Sequence, residues 1–309
     1  MEKNFKDFVK CGTCTQDCKE ETVKDPITEI IEKINDKETY TVVQTAPSIR
    51  TALGEEFGMP IGTNVKGKMV TALKKIGFDS VFDTNTGADF TIMEEANEFL
   101  DRVEDGENLP ITTRDLVTII KQANIDFEKL EDSDFDNPMG EASGAGAIFG
   151  TTGGVMEAAL RTATDMVEGK DLPNFEYEAV RGEQGIKKAS VIICGKTINV
   201  VVASGINNAK TIMEEIKNGN TDYHFVEVMT CPGGCIMGGG QPIPAPEIKE
   251  KVDVRKLRAD CLYSIDEKSV TRKAHESPTI KKVYKEFLER PGSEIAHKYL
   301  HVNYLKNDK

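Results

Sequence analysis

The stretch from His224 to Pro242, HFVEVMTCPGGCIMGGGQP, restricts what the rest of the chain can build. It opens as an apolar, strand-like run from Phe225 to Met229. It then delivers Cys231 and Cys235 into a segment holding Gly233, Gly234, Gly238, Gly239 and Gly240. A strand that only filled a core would not end in this way. Glycine lets a backbone take positive φ and approach a bulky group closely. Two thiols at this spacing reach neighbouring corners of one metal cluster, and soft sulfur ligands suit iron–sulfur clusters or zinc. The plainer alternative is a buried loop with two free thiols, since free cysteine is among the most buried residue types.

Cysteine usage and charge narrow the class. Of seven cysteines, five fall in two groups, Cys11, Cys14 and Cys18 near the start and Cys231 and Cys235 later. The start, MEKNFKDFVK, lacks the apolar core of a secretory leader, so the cytoplasm is the expected compartment. There, clustered cysteines favour metal ligation over disulfides. The isolated Cys194 and Cys261 stand in apolar surroundings and read as small core residues. A net charge of −13 argues against a nucleic-acid footprint. No run of about eighteen apolar residues exists, so no membrane span is expected. The 309 residues suffice for one large domain or two smaller ones.

Cys11, Cys14 and Cys18 are spaced C-x2-C-x3-C, the last three positions of the bacterial ferredoxin run. Phe8 stands where its first cysteine would be and Lys19 where its proline would be. Four readings stay open: a cluster with a fourth ligand from elsewhere, a three-iron cluster, zinc, or a decayed site.

Further along, the periodicity predicts a helix opening at Asp25-Pro26 and a β-branched strand over 39–45. The turn Ala46-Pro47-Ser48 follows, and helix resumes at Thr51. Helices are expected over 65–76, 88–103, 115–122, 155–166 and 209–218. Strands are expected over 80–83, 176–181, 190–193, 197–203 and 225–229, with a turn at Gly195-Lys196. From Lys249 to His301 the chain reads as mostly helical. Glu95, Glu98 and Arg102 fall on one helix face, as either a solvated face or a ladder of titratable groups. Glycines 144, 146, 150, 153 and 154 precede the helix at Val155. A phosphate cradle there is conceivable, but the spacing is neither the P-loop nor the dinucleotide pattern. Alternating strands and helices argue an α/β architecture with mostly parallel sheets flanked by helices, plus a helical C-terminal extension.

The run Val228 to Cys235, with Gly238-Gly239-Gly240-Gln241-Pro242 after it, resembles the third cluster-binding signature of the iron-only (FeFe) hydrogenases. The resemblance extends over nearly all of the chain from about residue 40. It implies three segments: 1–38, a degenerate ferredoxin-like stretch with a linker helix; 39–242, an internally truncated cluster domain; and 243–309, a region like the family's small subunit. It also implies hydrogen chemistry at a 4Fe–4S cluster bridged by a cysteine to a diiron unit, with a ferredoxin-type electron partner and maturation proteins. Cys235 matches the bridging ligand and Cys231 another cubane ligand. Met229, the turn Ala46-Pro47-Ser48, Phe149 and Gly150 match positions around the diiron site, and Glu95, Glu98 and Arg102 match its proton path. An accessory iron–sulfur cluster at Cys11, Cys14 and Cys18 stays one of the open readings of that earlier stretch.

One departure is large. After Leu109-Pro110 the family pattern continues into a TSCCPGW segment and later an MPC segment, and neither is present. Ile111 to Leu116 resembles sequence downstream of both. The absent block would carry two of the four cubane ligands and the cysteine that passes protons. Two functions therefore stand side by side: a hydrogenase-type oxidoreductase with an incomplete site, and a non-catalytic iron–sulfur sensor or interaction protein. A complementing subunit, or a homo-oligomer covering apolar surface left open by the lost block, is expected with either.

Overall fold

The computed structural model describes residues 26–95, 111–136, 140, 142–169, 176–182, 185–219 and 222–300. Two small sheets, each with its own helices, are accompanied by a C-terminal helical segment that contacts both halves. Strand β1 (Val42–Thr45) lies parallel to β2 (Ser80–Asp83), with Thr45 opposite Asp83 at their carboxyl ends. Helix α1 (Pro26–Asn35) precedes β1, and α2 (Lys66–Ile76) supplies the crossover. Gly77, in the left-handed region at φ 118°, ends α2 as its C-cap. Helix α3 (Asn85–Glu95) leaves β2. Helix α4 (Thr113–Gln122) starts from a capping box in which Thr112 and Asp115 satisfy each other's amides. Met69, Val70 and Leu73 of α2 meet Val81, Leu116, Ile120 and Phe127 in this half's core.

The second sheet is mixed. Strands β3 (Ile186–Ile193) and β4 (Lys196–Ser204) form an antiparallel hairpin, and β5 (Tyr223–Met229) lies parallel to β4. The two-residue period of β4 divides its apolar residues between two helices. Val200 and Val202 face Met156 and Leu160 of α6 (Gly154–Glu168), while Val201 and Ala203 face Ile212 of α7 (Ile206–Lys217). Each such fully buried aliphatic side chain contributes about 1.5–3 kcal/mol. The short helix α5 (Gly144–Ala147) leads towards α6. Beyond β5 come α8 (Pro246–Lys249), α9 (Val254–Lys268), α10 (Pro278–Val283) and α11 (Glu294–Leu300). Among the described residues, no helix is long and apolar enough to cross a membrane.

Several local expectations are corrected. Cys194 is exposed, not a core residue. It occupies the left-handed region at φ 47° beside Gly195 at φ 71°, so the hairpin turns at 194–195 as a primed two-residue loop. The segment after Arg50 is two 3₁₀ turns, Ile49–Thr51 and Leu53–Phe57, stopped by left-handed Gly58. Gly54 there is held so tightly that a Cβ would lie 2.9 Å from Val65. Residues 178–180 form a 3₁₀ turn, not a strand. Val180 drops into the second core, and Arg181 is drawn to the buried Glu157 at 2.6 Å.

Candidate metal centre

The cysteine loop begins where β5 ends. In a parallel strand pair the carboxyl ends are the usual seat of ligands, and here Ser204 closes β4 beside Met229 of β5. The Ser204 hydroxyl accepts the Gly233 amide at 2.8 Å and donates to the Cys231 carbonyl at 3.4 Å, pinning the loop to the sheet. Gly233 and Gly234 sit at φ 88° and 84°. A Cβ on Gly234 would fall 2.8 Å from the Thr152 amide nitrogen and 2.9 Å from the Gly150 carbonyl. The loop therefore packs backbone against backbone on the segment before α6. Cys235 opens a single 3₁₀ turn to Met237, and the chain folds back so that Gly238 meets both cysteines. A Cβ there would lie 3.7 Å from Cys231 Sγ and 3.2 Å from the Cys235 carbonyl.

The first sheet reaches the same place. Ala46-Pro47-Ser48 turns at the carboxyl end of β1, with Pro47 and Ser48 buried. Gly150 is the meeting point. A side chain there would touch Leu262 of α9 at 2.6 Å, Ser48 at 3.4 Å and Ile236 at 3.5 Å. Phe149 packs with Ile92, Ala145 and Ala158. Met229 is half-buried at the head of the loop.

Gln241 ties the segments together. Its amide nitrogen donates to the Cys235 carbonyl at 3.1 Å and the Ser48 carbonyl at 3.4 Å, while its oxygen accepts from Thr113 Oγ1 at 2.9 Å. Arg258 of α9 braces the loop from behind. Its guanidinium donates to the Ile236 carbonyl at 2.7 Å and the Pro242 carbonyl at 2.9 Å, and grips Glu55 with two bonds of 2.8 and 2.7 Å. Sequence reasoning did not single out Arg258, because nothing near it in the chain signals a role. Gln241 stood only as part of the signature.

Cys235 is open to solvent on one side and enclosed elsewhere. Burial raises its thiol pKa, and the neighbouring Cys231 adds to that rise. A bound metal cation reverses this balance by favouring thiolate. Glu95 is the last described residue of α3. Glu98, Arg102, Cys11, Cys14 and Cys18 lie outside the described residues.

The glycine-rich approach to α6 is not a phosphate cradle. The buried Glu227 carboxylate already accepts the Gly153 and Met156 amides, each at 2.7 Å, and so fills the place an anion would take. Asp165, His275 and Glu276 come together in a possible metal geometry, but the Lys273 ammonium is paired with Asp165 and lies 3.5 Å from Glu276. That cation position is occupied by the chain itself.

The two cysteines thus stand on a glycine-rich loop at the carboxyl ends of parallel strands, within an α/β frame. The chain belongs to the FeFe-hydrogenase family. The family model for the iron only hydrogenase large subunit, C-terminal domain, matches residues 39–113 and 109–239, and that for the iron hydrogenase small subunit matches 252–307. The chain is 38% identical to iron hydrogenase 1 of Clostridium pasteurianum over 88% of its own length and 62% of that protein, less than two thirds of the relative. It is 27% identical to cytosolic iron-sulfur assembly component 3 of Bos taurus over 63% of this chain and 40% of that one. Its fold matches a variant of the FeFe-hydrogenase HydA1 from Chlamydomonas reinhardtii with a TM-score of 0.74, at 27% identity, covering 91% of this chain and 99% of the other. The large-subunit match breaks and restarts at 109–113, and the Clostridium alignment runs to 357 positions, longer than this 309-residue chain. The relative thus carries a long block without counterpart here.

A cubane takes four protein ligands, and the described residues bring two thiols together. Cys194 sits on the β3–β4 turn, where its thiol donates to the Val167 carbonyl, and Cys261 is buried on another face of α9. The described residues therefore do not by themselves fit a complete cluster.

Proposed function

We propose that this chain is an iron–sulfur unit of the FeFe-hydrogenase type, an oxidoreductase component whose cluster is gripped at two corners by Cys231 and Cys235. The observation that carries this reading is the convergence of the cysteine loop, the Ala46–Ser48 turn and Gly150 at one place, tied by Gln241. The remaining thiolates come from outside the described residues, where Cys11, Cys14 and Cys18 are the chain's other clustered cysteines. Those three serve either as the completing ligands or as an accessory cluster. The other cofactor-binding assignments, Met229, Pro47, Ser48 and Phe149, and a proton route through Glu95, Glu98 and Arg102, belong to the same proposal. So do a ferredoxin-type electron carrier, maturation proteins and a cytoplasmic setting.

The ligand shortfall favours a second reading, a non-catalytic iron–sulfur protein on the same fold. The likeness to an iron–sulfur assembly component supports it. Anaerobic maturation followed by iron analysis, infrared spectroscopy and hydrogen evolution from reduced viologen separates the two. Iron retained by the wild type and lost in Cys231→Ser and Cys235→Ser is expected on either reading. Carbonyl and cyanide bands with gas evolution select the oxidoreductase. Iron without those bands selects the non-catalytic protein, and zinc in place of iron overturns both.

A further inference from the structure

On a different face of α9 from the one that meets the cysteine loop lies a second concavity, with a volume of about 850 Å³. Its walls come from the loop before α2, the loop before α5, the last turns of α9 and the start of α10. We infer that it binds a small molecule bearing several phosphate or carboxylate charges. The volume lies within the usual range of small-molecule sites, roughly 300–1,000 Å³.

Charge carries the inference. Lys66, Lys268 and Lys282 line the concavity, each from a separate helix, and no Asp or Glu lines it among the described residues. Among the described residues, none of the three lysines makes an ion pair. Lys66 lies 5.4 Å from the centre of the Phe135 ring. The nearby carboxylate of Asp132 packs on Gly67 and makes no ion pair with Lys66. Three like charges brought to one hollow repel each other, and a bound polyanion relieves that repulsion. Hydroxyls of Ser264 and Thr271 offer neutral hydrogen bonds between the cations, and the fully exposed Val270 offers an apolar contact. The Cys261 thiol on the wall, its pKa pushed up to about 11 mainly by burial, adds no negative charge at neutral pH.

Isothermal titration of the whole chain with pyrophosphate, ATP and citrate, at low and physiological salt, tests this. Saturable one-to-one binding of at least one probe is expected, weakening with salt. Lys268→Glu and Lys282→Glu replace exposed side chains, so the fold persists, and each should weaken binding about tenfold or more. Lys217→Glu, an equal charge change on α7, should leave binding unchanged. Phosphate and carboxylate probes separate the two anion types. No saturable binding by any probe, or equal weakening by Lys217→Glu, overturns the inference. Binding of polyglutamate but of none of the small anions also overturns it, in favour of an acidic peptide.

Discussion

Asp89 is fully buried on α3, where its carboxylate accepts the amide and hydroxyl hydrogens of Ser143. Burial outweighs those bonds and raises its pKa from 3.8 to about 6. The folded chain keeps this proton up to about pH 6, whereas the unfolded chain releases it near 3.9. The group's contribution is therefore fully present below about pH 4 and is lost as pH rises through about 6, on the order of 2–3 kcal/mol. Asp89→Asn keeps an acceptor for Ser143 and removes the titration. Urea unfolding at pH 4.5 and 7 should show the variant gaining about 2 kcal/mol on the wild type at the higher pH. Parallel pH dependences would contradict the assignment. At this scale the sequence disclosed Cys231, Cys235 and their glycines, because spacing and residue type are local properties. It did not disclose Asp89 or Glu227, whose partners lie 54 and 71–74 positions away. It misplaced Cys194, because an apolar neighbourhood in sequence says nothing of a left-handed turn.

The cysteine loop acts as one element because its backbone is clamped on both sides. Gly234→Ala adds a side chain at φ 84°, 2.8 Å from the Thr152 nitrogen, and should cost about 3 kcal/mol through strain and overpacking. Gly219→Ala is the control: it has φ 69° with nothing within 4 Å of an added Cβ, and should cost only about 1 kcal/mol. Chemical denaturation of the pair measures the difference, and equal losses would mean the loop has room to move. Most elements were legible in the chain. The helix ending at Gly77, the strand over 80–83 and the β3–β4 hairpin follow from caps and periodicity. The 3₁₀ turns over 49–57 and 178–180 were not legible, since tight packing of Gly54 and burial of Val180 override local preference.

Across the whole molecule, Arg258 joins the C-terminal helices to both halves. Its guanidinium and the Glu55 carboxylate are almost wholly buried, at 1% and 7% exposure. Arg258→Met strands a buried charge and should cost about 3–5 kcal/mol, while the double variant with Glu55→Met should recover most of it. Thermal or urea unfolding checks both, and a double variant no more stable than the single would rule out the pair as the cause. The long block carried by the Clostridium relative has no counterpart around this frame, yet the cysteine loop still meets the Ser48 turn, because Gln241, Arg258 and the Gly150 contact draw on other segments. By itself the sequence determined the thiol pair, the glycines that let its loop turn, and the order of strands and helices. Each of these depends on neighbours a few residues apart. Only the tertiary structure decided which carbonyls anchor the loop, that Glu227 closes the start of α6, and that three unpaired lysines share a hollow. Those outcomes depend on surfaces from segments that local pattern does not link, such as Glu227 and Gly153, 74 positions apart, and packing sets which ones meet.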